Sequence, residues 1–520
     1  MTAFVDARDP SAPRILRGSV CIVGAGAAGI TLARALAKTR PGVLLIESGG
    51  LEIDGATQML FAGHQLGQRY FELTSCRLRY FGGTTNHWSG FCRANDPIDY
   101  EPRPALGLPG WPIGHEDLAP YIEAAGASLG ITAAAFDPAA VVRGRGLDPD
   151  QLVERHGTHL MTKIFELAPD IRLGQIFRDE IATAPGVTPV LNLSVTKIAL
   201  DPTGTRVDHL EARTLSGVAH RIEAEDYVLC AHAIENARLM LASDDVIPQG
   251  VGNAHDLVGR YFSDHAHVEA SRFIPSERFP ALYDFDAARR RRLNANLSFT
   301  DDFLREQGLL QYYCRFTPVY VSPEAEAARG RLKADLLAPA DRQLFADIAA
   351  VMAELDGTRR WRQTRRSGFR PPPVYLLDHR IEQAPNRDSR VVLSQRRDAL
   401  GSRIADLDWR VSDADIDTIA RGQRAIGREL AALGYGRIEE EEITRPLVEA
   451  RVEGHYHHIG TLRMADRPEE GVVDRWQKVH GVANLHVGGS AVFPSAGYSG
   501  PTMMIIAMSL RLAERLGGRA

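Results

Sequence analysis

Near the N-terminus the apolar positions fall in two continuous runs, Val20 to Val23 and Val43 to Ile46, separated by a stretch whose apolar residues recur at helical spacing. Short unbroken apolar runs on either side of a helix-period segment predict parallel strands buried on both faces and joined by a crossover helix. The pattern returns further on. Residues 187 to 193 and 226 to 229 predict strands, the second leading into a strand-to-helix turn from Cys230 to Leu239. Between about 270 and 450 the pattern changes: runs at 295–299, 310–316, 374–381 and 390–394 predict strands of a second sheet, with helical stretches near 341–355 and 413–434. Residues 111 to 131 predict a turn, a cap and an amphipathic scaffold helix. Residues 1 to 18 predict a short polar arm, and residues 51 to 80 show no clean periodicity.

Between the first two runs lies Gly24-Ala25-Gly26-Ala27-Ala28-Gly29, and Glu47 closes the second. In this spacing the first glycine permits a tight turn, the second lets the backbone approach a pyrophosphate, and the third lets the helix pack on its strand. The helix N-terminus then meets the negative charge. An acid about 20 residues on accepts from a ribose hydroxyl. A preceding strand and a following helix are the context this reading requires, and both are present. The motif alone leaves FAD and NAD equally open.

The chain has 520 residues, 44% hydrophobic and 24% charged, enough for two or three domains with a large core. A net charge of −5 gives no whole-protein attraction to nucleic acid or anionic membrane. The basic clusters Arg289 to Arg292 and Arg359 to Arg370 are short runs in an acidic chain and predict solvated faces, with an acidic partner or a gating loop as alternatives, and Arg370-Pro371-Pro372-Pro373 a stiff connector. Five scattered cysteines without CxxC spacing predict neither a disulfide framework nor a zinc site, and hence a reducing compartment. The N-terminus shows no signal-peptide core, and no run reaches about 18 apolar residues. The expectation is a cytoplasmic protein with no membrane span and no nucleic-acid partner. His265 and His267 alternate around Ala266 as ligands on one strand face could, yet no further ligand set completes a site, so they read as structural and no metal is expected.

Phe81-Gly82-Gly83-Thr84-Thr85-Asn86-His87-Trp88-Ser89-Gly90 pairs glycines with small hydroxyls, which suits a backbone passing close to a flat or phosphorylated ligand. This stretch resembles the flavin-contacting loop of the glucose-methanol-choline (GMC) oxidoreductases, bacterial branch. The segments at 251–268 and 382–391 are similar to that family too, and residues 454–505 resemble its C-terminal signature: a histidine three positions before Gly460, then Met464, Val472-Val473-Asp474, Gly489-Ser490, and Pro501-Thr502 opening the last helix. The resemblance spans nearly the whole chain. It implies an α/β (α+β overall) protein, a Rossmann-like FAD-binding domain with a second substrate domain built on an antiparallel sheet. The FAD domain would be discontinuous, 1–100, 180–270 and 455–520, with 101–179 and 271–454 forming the substrate domain and connecting helices.

Through the resemblance, the residues expected at FAD are Gly24, Gly26, Ala27, Ala28, Gly29, Glu47 and Ser48; Gly82, Gly83, Thr84, Asn86, His87 and Trp88; Val195; and Gly489, Ser490, Pro501, Thr502 and Met503. Some relatives bond the flavin covalently at the spacing of His87. The implied activity is oxidation of an alcohol, with a sugar, glycoside or other polyol favoured, to the carbonyl compound. Loss of a hydride becomes easy only as the hydroxyl proton leaves, so a base must stand beside the substrate oxygen. His457 occupies the family's histidine position, with His458 the competing choice. Relatives place an Asn or His just before the Pro-Thr pair; here Gly500 stands there, and Ser499 is the candidate replacement, with Tyr498, a water or a bulkier substrate that uses the space as alternatives. This departure motivates a second reading, a lyase-like or decarboxylating flavoprotein of the same fold without net hydride transfer. The expected partners are a small-molecule alcohol and, as electron acceptor, oxygen, a protein or a quinone.

Overall fold

The computed structural model describes residues 4–131, 137–319 and 374–518. The predicted helix at 341–355, the cluster Arg359 to Arg370 and the connector after it lie outside the described residues. Two large sheets organise the chain. The first has eight strands, in the order Val5–Asp6, Val187–Leu191, Val43–Ile46, Ile15–Val23, Ala219–Leu229, Val207–Arg213 and Ser194–Leu200, with Leu485–Val487 also on Ala219–Leu229. Its centre is parallel: Val20 pairs with Val43 and Val23 with Ile46, Val23 also lies beside Leu229, and Val487 pairs with Leu229. Because these strands run the same way in register, Val23, Leu229 and Val487 end together. The turns that follow them, at Gly24, Cys230 and Gly488, converge on one edge, where open α/β sheets bind ligands.

Both faces of that centre are covered, as the unbroken apolar runs require. Val20, Cys21, Ile22, Val228 and Leu229 are fully buried. The helix Ala27–Leu36 and the last helix, Thr502–Gly517, share one apolar cluster with this sheet through Ile30, Leu32, Leu36, Leu512 and Leu516. The approach is close enough to dictate glycine. A Cβ on Gly29 would stand 1.9 Å from the Gly24 carbonyl oxygen, and one on Gly24, which is held at φ +102°, would stand 2.6 Å from the Cys230 carbonyl.

The second sheet has seven strands in the order Gly436–Glu439, Ala266–Pro275, Val374–Ile381, Tyr312–Val319, Leu293–Phe299, Leu160–Leu167 and Phe91–Cys92, every pair antiparallel. Alternation along these strands sends successive side chains to opposite faces. Val268, Leu377, Phe316, Leu297 and Ile164 form an apolar face, on which the helix Asp413–Ala432 packs. A Cβ on its Gly422 would meet the Tyr312 ring at 3.0 Å, so that residue sets how near the helix can come. The other face carries His267, Asp378, Arg380, Tyr313, Arg315 and Asn294, adjacent by register: His267 opposite Arg380, Arg380 opposite Tyr313, and Arg315 opposite Asp378. A sheet with one apolar and one polar face is built to pack on one side and line a site on the other.

Some boundaries differ from the sequence reading. The polar arm contains strand Val5–Asp6 on Val190 and Leu191, and the next strand starts at Ile15, because pairing extends it beyond the apolar run. Strand Ala266–Pro275 crosses the expected boundary at 270 and belongs wholly to the second sheet, as does Phe91–Cys92. All five cysteines are free and buried. Among the described residues, no helix is long and apolar enough to cross a membrane.

Candidate functional site

A cavity of about 800 Å³ lies between the converging turns of the first sheet and the polar face of the second. The wall from the first sheet holds Gly24, Gly26, Ala27, Ala28, Glu47 and Ser48. Gly26 caps the helix Ala27–Leu36 with no side-chain partner for the first-turn N–H groups, and a Cβ there would meet nothing within 4 Å. Uncapped N–H groups at a helix start, beside open space that only glycine leaves, fit a pyrophosphate. Glu47 also braces the loop from behind: its Oε2 accepts from Ala25 N–H and its Oε1 from Gly49 N–H, both at 2.9 Å. Burial pushes the Glu47 carboxyl upward, against the pull of those bonds. Ser48 accepts from Arg79 at 2.7 Å, and Arg79 pairs with Glu235 at 2.9 Å; sequence reasoning passed over both residues, and both line the cavity.

The glycine pair stands against the fingerprint, a Gly83 Cβ falling 3.2 Å from the Gly26 Cα. Gly83, Thr84, His87 and Trp88 line the cavity, as do Val195, Gly489, Ser490, Pro501 and Thr502. Nε2 of His87 is bonded to the Tyr80 hydroxyl at 2.9 Å. Gly82, Asn86, Gly29 and Met503 are not brought to the wall. Asn86 donates to the Phe81 carbonyl at 2.8 Å and shapes the loop from within, Gly82 packs on Gly174, and Met503 is buried near Gly126.

His457 and Gly500 both line the cavity side by side, a Cβ built on Gly500 falling 3.6 Å from His457 Nε2 and Cε1. The expected partner Ser499 faces elsewhere. Its hydroxyl donates to the Ala94 carbonyl at 3.1 Å, and Tyr498 donates to Asp96 at 2.6 Å, so neither fills the place that Gly500 leaves open. The partner His457 does have comes from a distant part of the chain: His265 Nδ1 lies 2.7 Å from His457 Nδ1, and His265 Nε2 lies 3.2 Å from the Ala496 carbonyl. A carbonyl can only accept, so His265 carries its proton on Nε2 and its Nδ1 is bare. His457 must then donate from Nδ1, which leaves its Nε2 lone pair free. Burial, with His265 and the Arg380 guanidinium adding to it, holds His457 well below the ordinary histidine range; burial lowers His265 as well.

The turn that presents His457 is held by Asp264, which is fully buried. Its Oδ1 accepts from the backbone N–H groups of His265 at 2.6 Å and His457 at 3.1 Å; its Oδ2 accepts from His455 N–H at 2.9 Å and from the Tyr70 hydroxyl. Between the two histidines Tyr456 sits at φ +61°, a left-handed conformation unusual for a bulky residue, and stacks outward on Phe71 at 3.9 Å. That inversion lets His455 and His457 both face inward. Asp264, His265 and His457 also form a compact group of potential metal ligands, but their facing atoms are committed to one another and to N–H donors. The competing His458 packs by edge contacts on His232 at 4.5 Å and Tyr70 at 5.6 Å. Neither of its ring nitrogens finds a hydrogen-bond partner among the described residues.

Residues 385–509 match the family model for GMC oxidoreductases. The chain is 24% identical to paromamine 6'-oxidase of Streptomyces fradiae, over 96% of this chain and 91% of that protein. It is also 24% identical to 2-methyl-1,2-propanediol dehydrogenase of Mycolicibacterium austroafricanum, over 84% of this chain and 80% of that one. Among solved structures, pyridoxine 4-oxidase from Mesorbium loti shares the fold with a TM-score of 0.58 at 17% identity, covering 96% of this chain and 99% of its own. The signature histidine, the glycine fingerprint and the two-sheet architecture sit around one cavity, and over residues 385–509 the chain matches the GMC oxidoreductases.

Proposed function

We propose that this oxidoreductase converts a small-molecule alcohol, a polyol or sugar-like compound, to its carbonyl compound, with FAD along the fingerprint wall and His457 as the base. The observation that carries the reading is the Nε2 lone pair of His457, left free by the Nδ1 contact to His265 at 2.7 Å and presented into the cavity beside Gly500. FAD, when bound, supplies the acceptor for the hydride that leaves the alcohol carbon. Gly24, Gly26 and the helix start at Ala27 would hold its pyrophosphate, with Glu47 at the ribose and Gly83, Thr84 and Thr502 beside the ring system. His457 takes the hydroxyl proton on Nε2, and His265 keeps that nitrogen bare. The glycine at 500 leaves room for the substrate oxygen where a side chain would stand 3.6 Å from the base. Electrons leave to oxygen, or to an acceptor protein or quinone. The lyase-like alternative drew on the missing partner at 500; with His265 orienting the base, the site does not need one there.

The neutral form of His457 is the active one, and its pKa lies well below 6.5. Lowering the pH from neutrality through 6.5 should therefore leave kcat/KM flat, and activity should fall only where the pH passes the depressed pKa. His265→Phe removes the acceptor that selects the tautomer. It should lower kcat/KM by about ten- to a hundredfold, while His265→Gln, whose amide oxygen can accept, recovers part of the loss. Equal losses in both variants with an unchanged pH profile would assign His265 to packing alone.

We read His87 as a noncovalent contact, since its Nε2 already meets Tyr80. Acid precipitation should release yellow FAD into the supernatant, and a yellow pellet with flavin fluorescence on a denaturing gel would show a bond instead.

A further inference from the structure

The polar face of the second sheet carries more positive charge into the cavity than base chemistry uses. Arg315 and Arg380, on neighbouring strands, both reach one buried carboxylate, Asp378, which lies opposite Arg315 in register. Asp378 Oδ2 accepts from Arg380 Nε at 2.9 Å and Nη2 at 2.7 Å and from Arg315 Nη2 at 2.6 Å; Oδ1 is taken by His267 Nδ1 at 3.0 Å. Asp378 is saturated by these donors. Two guanidiniums thus share one negative charge. Arg380 spends a further N–H on the Tyr313 hydroxyl at 3.3 Å, while Arg315 Nε is buried with no hydrogen-bond partner among the described residues.

Both arginines line the cavity, and exposed Arg289 adds a third guanidinium to the wall. Among the described residues, Glu269 and Glu453 also lie near this face; both are exposed and do not line the cavity. The only carboxylates among the described lining residues, Glu47 and Glu235, belong to the dinucleotide side. The cationic wall adjoins the base: Arg315 lies over the Phe285 ring at 4.5 Å, Phe285 neighbours Phe91 at 6.4 Å, and the Phe91 carbonyl is 3.7 Å from where a Gly500 side chain would begin. An excess guanidinium with an orphaned N–H, partly shielded from water, is matched by an anion with in-plane lone pairs.

Resting on the alcohol-oxidation reading, we propose that the substrate is an alcohol bearing a carboxylate, held by Arg315 with Arg380 behind it so that its hydroxyl carbon reaches His457. Among the described residues Asp378 offsets one of the two guanidinium charges and the exposed Glu269 acts on Arg315 only at a distance, so a monoanion in the cavity matches the charge that remains. A neutral alcohol would leave that charge unpaired, and a cationic one would meet repulsion.

The test uses the FAD-loaded protein and matched probes: benzoate, which cannot be oxidised at a hydroxyl, then 4-(hydroxymethyl)benzoate, benzyl alcohol and 4-(aminomethyl)benzyl alcohol. Benzoate should perturb the visible flavin spectrum saturably. Arg315→Gln should weaken it by about tenfold or more, and Arg315→Lys, which keeps the charge, should retain most of the affinity. Under anaerobic conditions 4-(hydroxymethyl)benzoate should reduce the flavin at least about tenfold more efficiently than benzyl alcohol, and the amine least of all. Benzoate that does not bind, or binds wild type and Arg315→Gln alike, overturns the proposal, as does benzyl alcohol outperforming the carboxylate. If benzoate binds through Arg315 and none of the alcohols reduces the flavin, the oxidation reading fails while the anion site stands.

Discussion

His457→Ala should bind FAD like the wild type and reduce it with alcohol about a thousandfold more slowly, since removal of a positioned general base costs on the order of a hundred- to ten-thousandfold. The loss should fall on the reduction rate rather than on substrate affinity, because the imidazole acts on a proton that moves only as the hydride leaves. Stopped-flow anaerobic reduction separates the two. His458→Ala is the control: its ring is packed against His232 and Tyr70. It should perturb stability and spare much of the rate. A His457→Ala enzyme that reduces its flavin at the wild-type rate would remove His457 from the chemistry.

Asp264→Ala should be the most damaging single change outside the nucleotide fold. Its carboxylate is the acceptor for three backbone N–H groups, of His265, His455 and His457, and for the Tyr70 hydroxyl. Buried donors left without an acceptor cost about 1–3 kcal/mol each, partly relieved by relaxation and entering water, so the expected destabilisation is about 3–5 kcal/mol. The left-handed turn at Tyr456 loses its clamp at the same time, so His457 should lose its aim as well. Asp264→Asn keeps the shape and one acceptor oxygen and should lie between. Thermal unfolding, followed with alcohol-driven flavin reduction on the folded fraction, distinguishes lost stability from lost aim. An Asp264→Ala protein as stable and as active as the wild type would contradict the role given to the clamp.

The wall of the cavity built by the glycine turn was legible because its signals are local. Gly24 to Glu47 carries strand, turn, helix and strand within one crossover, and the contacts that demand glycine at 24 and 29 involve the turn and its neighbouring strand ends. The strand Val374–Ile381 and the helix Asp413–Ala432 were likewise visible as periods. What was not legible depends on pairing between remote segments. His265 and His457 are 192 positions apart, and nothing local to His265 distinguishes a histidine that orients a base from one that packs. The alternation of His265 and His267 did suggest a shared face. That strand Ala266–Pro275 joins the second sheet is set by pairing with remote segments, which no local signal at 265–267 carries. Ser499 was misplaced for a related reason: in an irregular loop, adjacency to Gly500 does not fix direction, and the Ala94 carbonyl draws the hydroxyl away. Arg315 and Arg380 could be placed on strands from their period, but their meeting at one carboxylate needs the register that aligns Arg315 with Asp378.

The most direct test of the central claim is anaerobic titration of the FAD-loaded wild-type protein with alcohols, carboxylate-bearing and neutral, followed in the visible spectrum. The oxidised flavin band should bleach with at least one of them, with formation of the matching carbonyl compound. A protein that binds FAD yet keeps its oxidised spectrum with every alcohol would contradict the proposed oxidation.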